Sequence, residues 1–319
     1  MRKTRLGFVG AGVFSELCLA AYQQFLPEVE VVAITDLNVA QAEKVAKRWK
    51  IMTVSRSPTD LFRLDLIDTV IILTRPDTHF QLASEALEKG KNVLVEKPIA
   101  FSEMEARRLI ELAESRGKSI AANLVLRYHP FNQQIREIVE SKKMGRLKSI
   151  VTQAWLARYP EDHWYWDKNK SGGFFLNTYC HFIDLYNYIV GKKPIEFRCQ
   201  QKPGHAHLIE LDFLTTKTTL LTNLDARSDQ ESVETKYMFV DGAISTFGWL
   251  PERMIILDGD RRQELDDDLT KDARYKQLLA SLLKDLIDRG HDRNATSRVN
   301  HDVLWESVRQ PLVVASRLK

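Results

Sequence analysis

Arg5-Leu6-Gly7-Phe8-Val9-Gly10-Ala11-Gly12-Val13-Phe14-Ser15 is the stretch whose reading decides the fold. Arg5–Val9 is a short run of strand type, and apolar residues recur at helical spacing from Val13 to Phe25, so the glycines fall in a strand-to-helix turn. Gly10 permits the tight turn. Gly12 lets the backbone approach a pyrophosphate at the helix N-terminus, where unsatisfied N–H groups and the helix dipole favour an anion. The third glycine position holds Ser15, small but not glycine. Asp36 closes the next strand 21 residues later. Its carboxylate can accept hydrogen bonds from the adenosine ribose hydroxyls and would repel a 2′-phosphate, and Leu37 beside it offers no guanidinium to hold one. NAD is therefore favoured over NADP. A Gly-rich turn alone is common, and the bland alternative is a helix cap with no ligand. Strand, turn, helix and acid together favour the dinucleotide.

Working outward, the same alternation continues. Strands are expected at Glu30–Thr35, Thr53–Val54, Thr69–Leu73, Asn92–Val95 and Ser119–Ala122, with helices over Val39–Trp49, from Ser57, over Thr78–Lys89 and from Ser102 to Arg116. Thr69–Leu73 is a continuous apolar β-branched run, the mark of a parallel strand buried on both faces. Ser102 with Glu105 forms a capping box. The pattern is that of an α/β protein with an N-terminal Rossmann, doubly wound parallel sheet. After Asn123 the texture changes. Helices over Pro130–Lys142 and Phe174–Val190 flank a strand at Leu147–Leu156, and Ile195–Ile256 holds β-like runs separated by polar turns, which suggests an antiparallel sheet. Tyr275–Arg289 and Asp302–Ser316 read as closing helices. The expected division is 1–122 for the cofactor domain and 123–319 for a substrate-binding and dimerisation α/β domain.

Bulk properties narrow the function. The 319 residues suit two domains, and a net charge of +3 with no basic block argues against nucleic acid or a membrane surface as partner. Cys18, Cys180 and Cys199 have neither disulfide nor metal-like spacing, which fits a reducing cytoplasm and predicts no metal site. Arg2, Lys3 and Arg5 before an apolar stretch superficially resemble a secretory signal, but Glu16 interrupts it. No apolar run reaches membrane-spanning length.

The strand Asn92–Val95 delivers Glu96-Lys97-Pro98 to the carboxyl edge of the sheet, where ligands of such sheets bind. Together with Thr74-Arg75-Pro76-Asp77-Thr78-His79, Arg127-Tyr128-His129-Pro130, and Gly172-Gly173 leading to His181 and Asp184, this segment makes the chain resemble the Gfo/Idh/MocA family over nearly its whole length. The resemblance implies a Rossmann domain followed by an α/β domain with a large, mostly antiparallel sheet, and oxidation or reduction of a secondary alcohol on a sugar, inositol or related polyol. It places Gly10, Ala11, Gly12, Val13, Phe14, Asp36, Thr74, Pro76, His79, Glu96 and Lys97 at the cofactor. Lys97 would hydrogen-bond the reacting oxygen and steady its charge, and His181 would exchange the hydroxyl proton.

The sequence departs from the family where Asn177 stands four residues before His181, a position at which many members carry Asp. Helical spacing puts Asn177 and His181 on one face. An amide can orient the substrate or the imidazole, yet it holds no negative charge. Tyr179 replaces a commonly small residue and is a candidate proton donor in a relay; Phe174 replaces a glycine. Arg127, Trp164, Asn177 and His181 are substrate-binding candidates. Arg127 can equally pair with an acidic neighbour, and His163-Trp164-Tyr165-Trp166 can equally supply buried area. Three functions compete: an NAD(P)-dependent dehydrogenase or reductase, a retained-NAD redox-cycling lyase, glycosidase or transferase, and a non-catalytic NAD-binding regulator. A sheet with one open face predicts a homodimer or homotetramer.

Overall fold

The computed structural model describes residues 3–157, 159–202, 206–226, 231–291 and 301–317. It divides into two compact units, one of Met1–Val125, Asp167–Asn177 and Lys276–Arg309, the other of Leu126–Trp166, Thr178–Tyr275 and Gln310–Lys319. The first crossing, at Val125, lies close to the change of texture after residue 122. The two later returns to the first unit, 167–177 and 276–309, make the division discontinuous in sequence. The limits at Asn177, Lys276 and Arg309 fall inside the helices Phe174–Val190, Lys271–His291 and His301–Arg317, so no linker composition marks them.

The first unit is built on six strands: β1 (Thr4–Val9), β2 (Val29–Thr35), β3 (Thr53–Val54), β4 (Thr69–Ile72), β5 (Asn92–Val95) and β6 (Ile120–Ala122). All pair in parallel, in the order β3-β2-β1-β4-β5-β6. Every residue of β4 is buried, as its apolar composition requires. Helix starts follow the side-chain chemistry. Asn38 Oδ1 accepts the Gln41 N–H, Ser57 Oγ the Asp60 N–H and Ser102 Oγ the Glu105 N–H. The reciprocal bond of the expected capping box closes one residue early, with Glu105 Oε2 accepting from the Phe101 N–H at 3.1 Å. The helix expected from Thr78 begins at His79, preceded by a 3-10 turn over Pro76–Thr78.

The strand order reverses between β1 and β4, the place where such sheets open a crevice. Backbone pairing runs one residue past the strand ends. Gly10 N–H bonds Thr35 O at 2.8 Å, Leu73 N–H bonds Val9 O at 2.8 Å, Glu96 N–H bonds Ile72 O at 2.9 Å and Asn123 N–H bonds Val95 O at 2.9 Å. Gly10, Leu73, Glu96 and Asn123 therefore stand side by side along the carboxyl edge.

Among the described residues the second unit holds eight strands: β7 (Leu147–Ala157), β8 (Glu196–Lys202), β9 (Ala206–Phe213), β10 (Thr216–Ala226), β11 (Ser232–Phe239), β12 (Gly242–Phe247), β13 (Arg253–Asp258) and β14 (Arg261–Asp266). Their order is β14-β13-β12-β11-β7-β10-β9-β8; β7 and β10 pair in parallel and the other pairs are antiparallel. In β11, Val233, Thr235, Tyr237 and Phe239 are buried while Ser232, Lys236 and Met238 are exposed, the two-residue period of a half-buried strand. Trp155, Leu221, Met238 and Leu257 are exposed on β7, β10, β11 and β13. Among the described residues no helix is long and apolar enough to cross a membrane.

His129 caps the helix Pro130–Ser141 by accepting the Phe131 N–H on Nδ1, and its Nε2 lies 3.6 Å from Asp267, which also pairs with Arg274. Burial first, then the Arg274 charge, holds the His129 imidazole down at about 4. The unfolded chain, with histidine near 6.5, then binds the extra proton while the folded one stays neutral. Stability is therefore predicted to fall as pH drops from about 6.5 towards about 4. Thermal unfolding across that window checks it, and His129→Asn should flatten the slope.

Candidate active site

The Gly10–Ser15 turn is shaped by close approach. Gly10 has φ +108°, and a Cβ there would lie 2.6 Å from the Leu73 carbonyl oxygen. Ser15 Oγ donates to Gly10 O at 2.8 Å, so the residue at the third glycine position ties the turn down from beneath. Asp36 braces it from the side. Its Oδ2 accepts the Ala11 N–H at 2.7 Å, its Oδ1 accepts the Asn38 N–H at 2.8 Å, and Gln41 Nε2 donates to Ala11 O. Asp36 thus holds the turn, a role the sequence did not suggest, and its second lone pairs are what a ribose would use.

Whether this edge suits a dinucleotide can be judged from the turn itself. Gly12, the N-cap of the helix Val13–Phe25, supplies no side-chain cap, and a Cβ built on it meets nothing within 4 Å. The backbone there is open to an anion. Val13 and Leu37 are 91% and 99% exposed, apolar side chains standing in water beside the turn as a ligand's apolar faces would require. The residues fit an NAD-type group, which Gly10–Phe14 would hold at the pyrophosphate and Asp36 at the ribose.

Further along the edge, Thr74 Oγ1 bonds Thr78 Oγ1 at 2.7 Å, Pro76 is buried, and His79 is buried between the Thr74 and Pro98 carbonyls rather than lining a surface. Glu96 accepts from Asn123 Nδ2 and from the Lys97 N–H. Burial raises the Glu96 carboxyl above its ordinary range, opposed by Lys97 and Asn123. The Lys97–Pro98 peptide is cis. Lys97 Nζ donates to the Asn177 carbonyl oxygen at 2.9 Å and to Asn177 Oδ1 at 3.0 Å.

Asn177 is itself oriented. Its Nδ2 donates to Ser171 O at 3.0 Å, which fixes Oδ1 towards the lysine. Ser171 Oγ donates to Asp167 O and accepts the Gly173 N–H. Gly172 has φ +74°, and a Cβ there would meet the Phe101 ring at 2.8 Å, so the paired glycines let this turn close on the segment that follows Lys97. The sequence suggested that Asn177 orients substrate or imidazole; what it orients here is the Lys97 ammonium. An aspartate at 177 would turn a carboxylate oxygen on the Ser171 carbonyl. Asn177→Asp is therefore predicted to lower turnover about 10-fold and the unfolding free energy by about 1 kcal/mol, because a made hydrogen bond becomes a clash of acceptors. Steady-state kinetics with thermal unfolding check this; a gain in turnover would show that the site wants a charge there.

In the second unit, His181 is 8% exposed and sits edge-on to Trp249, ring centroids 5.0 Å apart. It lies one helical turn beyond Asn177 on the helix Phe174–Val190. Trp249 escaped the sequence reading, since nothing in Gly248-Trp249-Leu250-Pro251 marks it out. Tyr179, the expected relay residue, turns to the sheet: its hydroxyl bonds Thr222 Oγ1 at 2.6 Å and His207 Nδ1 at 3.0 Å. Two residues from His181 is roughly half a helical turn, so the two side chains leave the helix on opposing faces. Burial pushes the Tyr179 hydroxyl well above its usual range, which suits packing rather than proton donation. Arg127 pairs with Asp184 through two hydrogen bonds, both side chains almost wholly buried, so the acidic-neighbour reading describes its geometry. Trp164 lies edge-on to Tyr165, within a cluster where Tyr159 stacks on His163 and Tyr165 at 4.7 and 4.5 Å.

A Gly-rich turn with an open helix N-terminus, an acid closing β2 and a lysine at the end of β5 define a dinucleotide-binding Rossmann protein, here joined to a second unit with an open sheet. The pattern of the oxidoreductase family with an NAD-binding Rossmann fold matches residues 4–124, and that of the GFO/IDH/MocA C-terminal domain matches residues 132–247. The chain belongs to the Gfo/Idh/MocA oxidoreductase family, and its N-terminal part is that family's NAD-binding domain. It is similar to the D-glucoside 3-dehydrogenase of Escherichia coli (strain K12), 27% identical over 190 residues that cover 59% of this chain and 54% of the relative. Among solved structures it resembles levoglucosan dehydrogenase in complex with NADH and levoglucosan, with TM-score 0.84 at 15% identity, covering 99% of this chain and 98% of the other. It also resembles a 3-ketoreductase from Actinomadura kijaniata in complex with NADP, with TM-score 0.79 at 17% identity, covering 99% and 97%. At those identities the likeness is one of fold. The chain spans 60%, 45% and 54% of the length of three curated relatives it matches.

Proposed function

We propose that the protein is an NAD-dependent dehydrogenase or reductase acting on a secondary alcohol or ketone of a sugar, inositol or related polyol. The observation that carries this reading is the Lys97 ammonium, fixed by two Asn177 oxygens on the same sheet edge as the open Gly10–Gly12 turn. When bound, the nicotinamide supplies hydride acceptance or donation. Lys97 donates a hydrogen bond to the reacting oxygen and holds its growing negative charge. His181 takes the hydroxyl proton on an imidazole nitrogen in oxidation and returns it in reduction. In oxidation the carbon loses hydride and the oxygen loses its proton, leaving a ketone. Asp36 favours NAD over NADP by repelling a 2′-phosphate. The first unit takes the cofactor role and the second the substrate role, with Trp164 offering an aromatic face to sugar C–H groups.

The names of the relatives support the substrate class, since a glucoside and levoglucosan are polyhydroxylated rings. The outward Trp155, Leu221, Met238 and Leu257 support a homo-oligomer that buries this face, and the sparse cysteines support a cytoplasmic setting. A panel of inositols, polyols and aldoses with NAD and NADP, followed by absorbance of the reduced cofactor, tests the reaction. Release of a ketone with matching cofactor reduction is expected. Products that leave the cofactor oxidised would move the protein to a redox-cycling lyase or transferase, and NAD affinity with no turnover of any panel member would move it to a regulator.

A further inference from the structure

His79 opens the helix His79–Glu88, and its ring is wholly buried. Nδ1 lies 2.8 Å from the carbonyl oxygen of Pro98, the residue after Lys97, and Nε2 lies 3.0 Å from the carbonyl oxygen of Thr74. One imidazole therefore bridges the loop after β4 and the loop after β5, both at the carboxyl edge. We propose that His79 is a positioning residue for Lys97, donating from Nδ1 to the Pro98 carbonyl and so fixing the Pro98–Ile99 peptide, the anchor of the turn that follows the lysine. The inference rests on the proposed reaction in so far as Lys97 serves it.

The assignment follows from counting protons. A carbonyl oxygen only accepts, so each contact needs a ring N–H. The imidazolium has two and the neutral ring one. Burial disfavours the second proton most strongly; the Pro98 and Thr74 carbonyls favour it, the Lys97 charge opposes it and Asp77 favours it, and the balance lowers the ring's proton affinity below the ordinary histidine value. A neutral ring holds one loop by a hydrogen bond and turns a lone pair on the other. The shorter contact, to Pro98, takes the proton. At the other end of the side chain, Asn177 holds the ammonium. Lys97 is thus followed by a residue whose carbonyl His79 holds, and its tip is held by Asn177.

Two variants separate positioning from filling of the core. An asparagine amide can occupy the place of Nδ1, whereas a glutamine reaches the place of Nε2. His79→Asn keeps the Pro98 bond and His79→Gln keeps the Thr74 bond, with similar loss of ring volume. Expected for His79→Asn is turnover within about 3-fold of wild type, and for His79→Gln a fall of about 30-fold, with KM and NAD affinity unchanged in both, since small displacements of a reacting group cost turnover rather than binding. Amide exchange at Lys97 and Ile99 should quicken in His79→Gln only. Equal loss of turnover and equal exchange in the two variants would overturn the proposal. So would nitrogen-15 spectra of the wild type that place the proton on Nε2, a measurement that needs no variant. Should the wild type turn over no polyol at all, the reaction is wrong, and the exchange and nitrogen-15 results still decide the role of His79.

Discussion

Replacing Lys97 by methionine is expected to lower turnover about 1,000-fold while NAD affinity stays within about 3-fold, a loss of about 4 kcal/mol of transition-state stabilisation. Methionine keeps the length and the apolar stem and removes the donor. On the proposed reading the dinucleotide is held elsewhere on the edge, by the Gly10–Phe14 turn and Asp36, and the bonds of Asp36 to Ala11 and Asn38 and of Ser15 to Gly10 are made without the lysine. Asn177 loses its Nζ partner but keeps the Ser171 bond, so the local fold should survive. Initial rates on the best panel substrate, with NAD titrated separately, check both halves. Unchanged turnover would remove Lys97 from the chemistry, and lost NAD affinity would make it a cofactor ligand instead.

The second large effect is on stability. Asp184 is 0% exposed and Arg127 2%, and the two form a buried ion pair. Asp184→Ala leaves a guanidinium buried without its carboxylate and is expected to cost about 3–5 kcal/mol in chemical unfolding. Arg127→Met should cost as much, and the pair Arg127→Met with Asp184→Leu less than either alone, because replacing both charges removes the desolvation penalty along with the attraction. If Arg127 bound substrate, its loss would instead raise KM while leaving the unfolding midpoint in place.

Much of this was legible in the residues because local chemistry and tertiary demand agree. The helix limits Val13–Phe25, Val39–Trp49 and Phe174–Val190 and the strand Asn92–Val95 stand where periodicity and capping place them. The parallel sheet follows from apolar runs such as β4 that need cover on both faces. What escaped the reading depends on partners distant in sequence. That Asn177 serves Lys97, 80 residues away, that Asp184 is the acid Arg127 meets, and that His181 lies against Trp249 are products of packing. Tyr179 shows the reverse error: a hydroxyl near a histidine in sequence suggested a relay, and the helical period carries it to Thr222. The discontinuous first unit was hidden for a related reason, since helices crossing between units leave no Pro- or Gly-rich linker.

Amide hydrogen exchange of the free protein against the protein saturated with NAD tests the central claim most directly. Slowed exchange at both Gly10–Ser15 and Glu96–Lys97 is the predicted result, because one dinucleotide should cover the opening turn and the end of β5 together. No change at either segment in millimolar NAD or NADP would contradict the account.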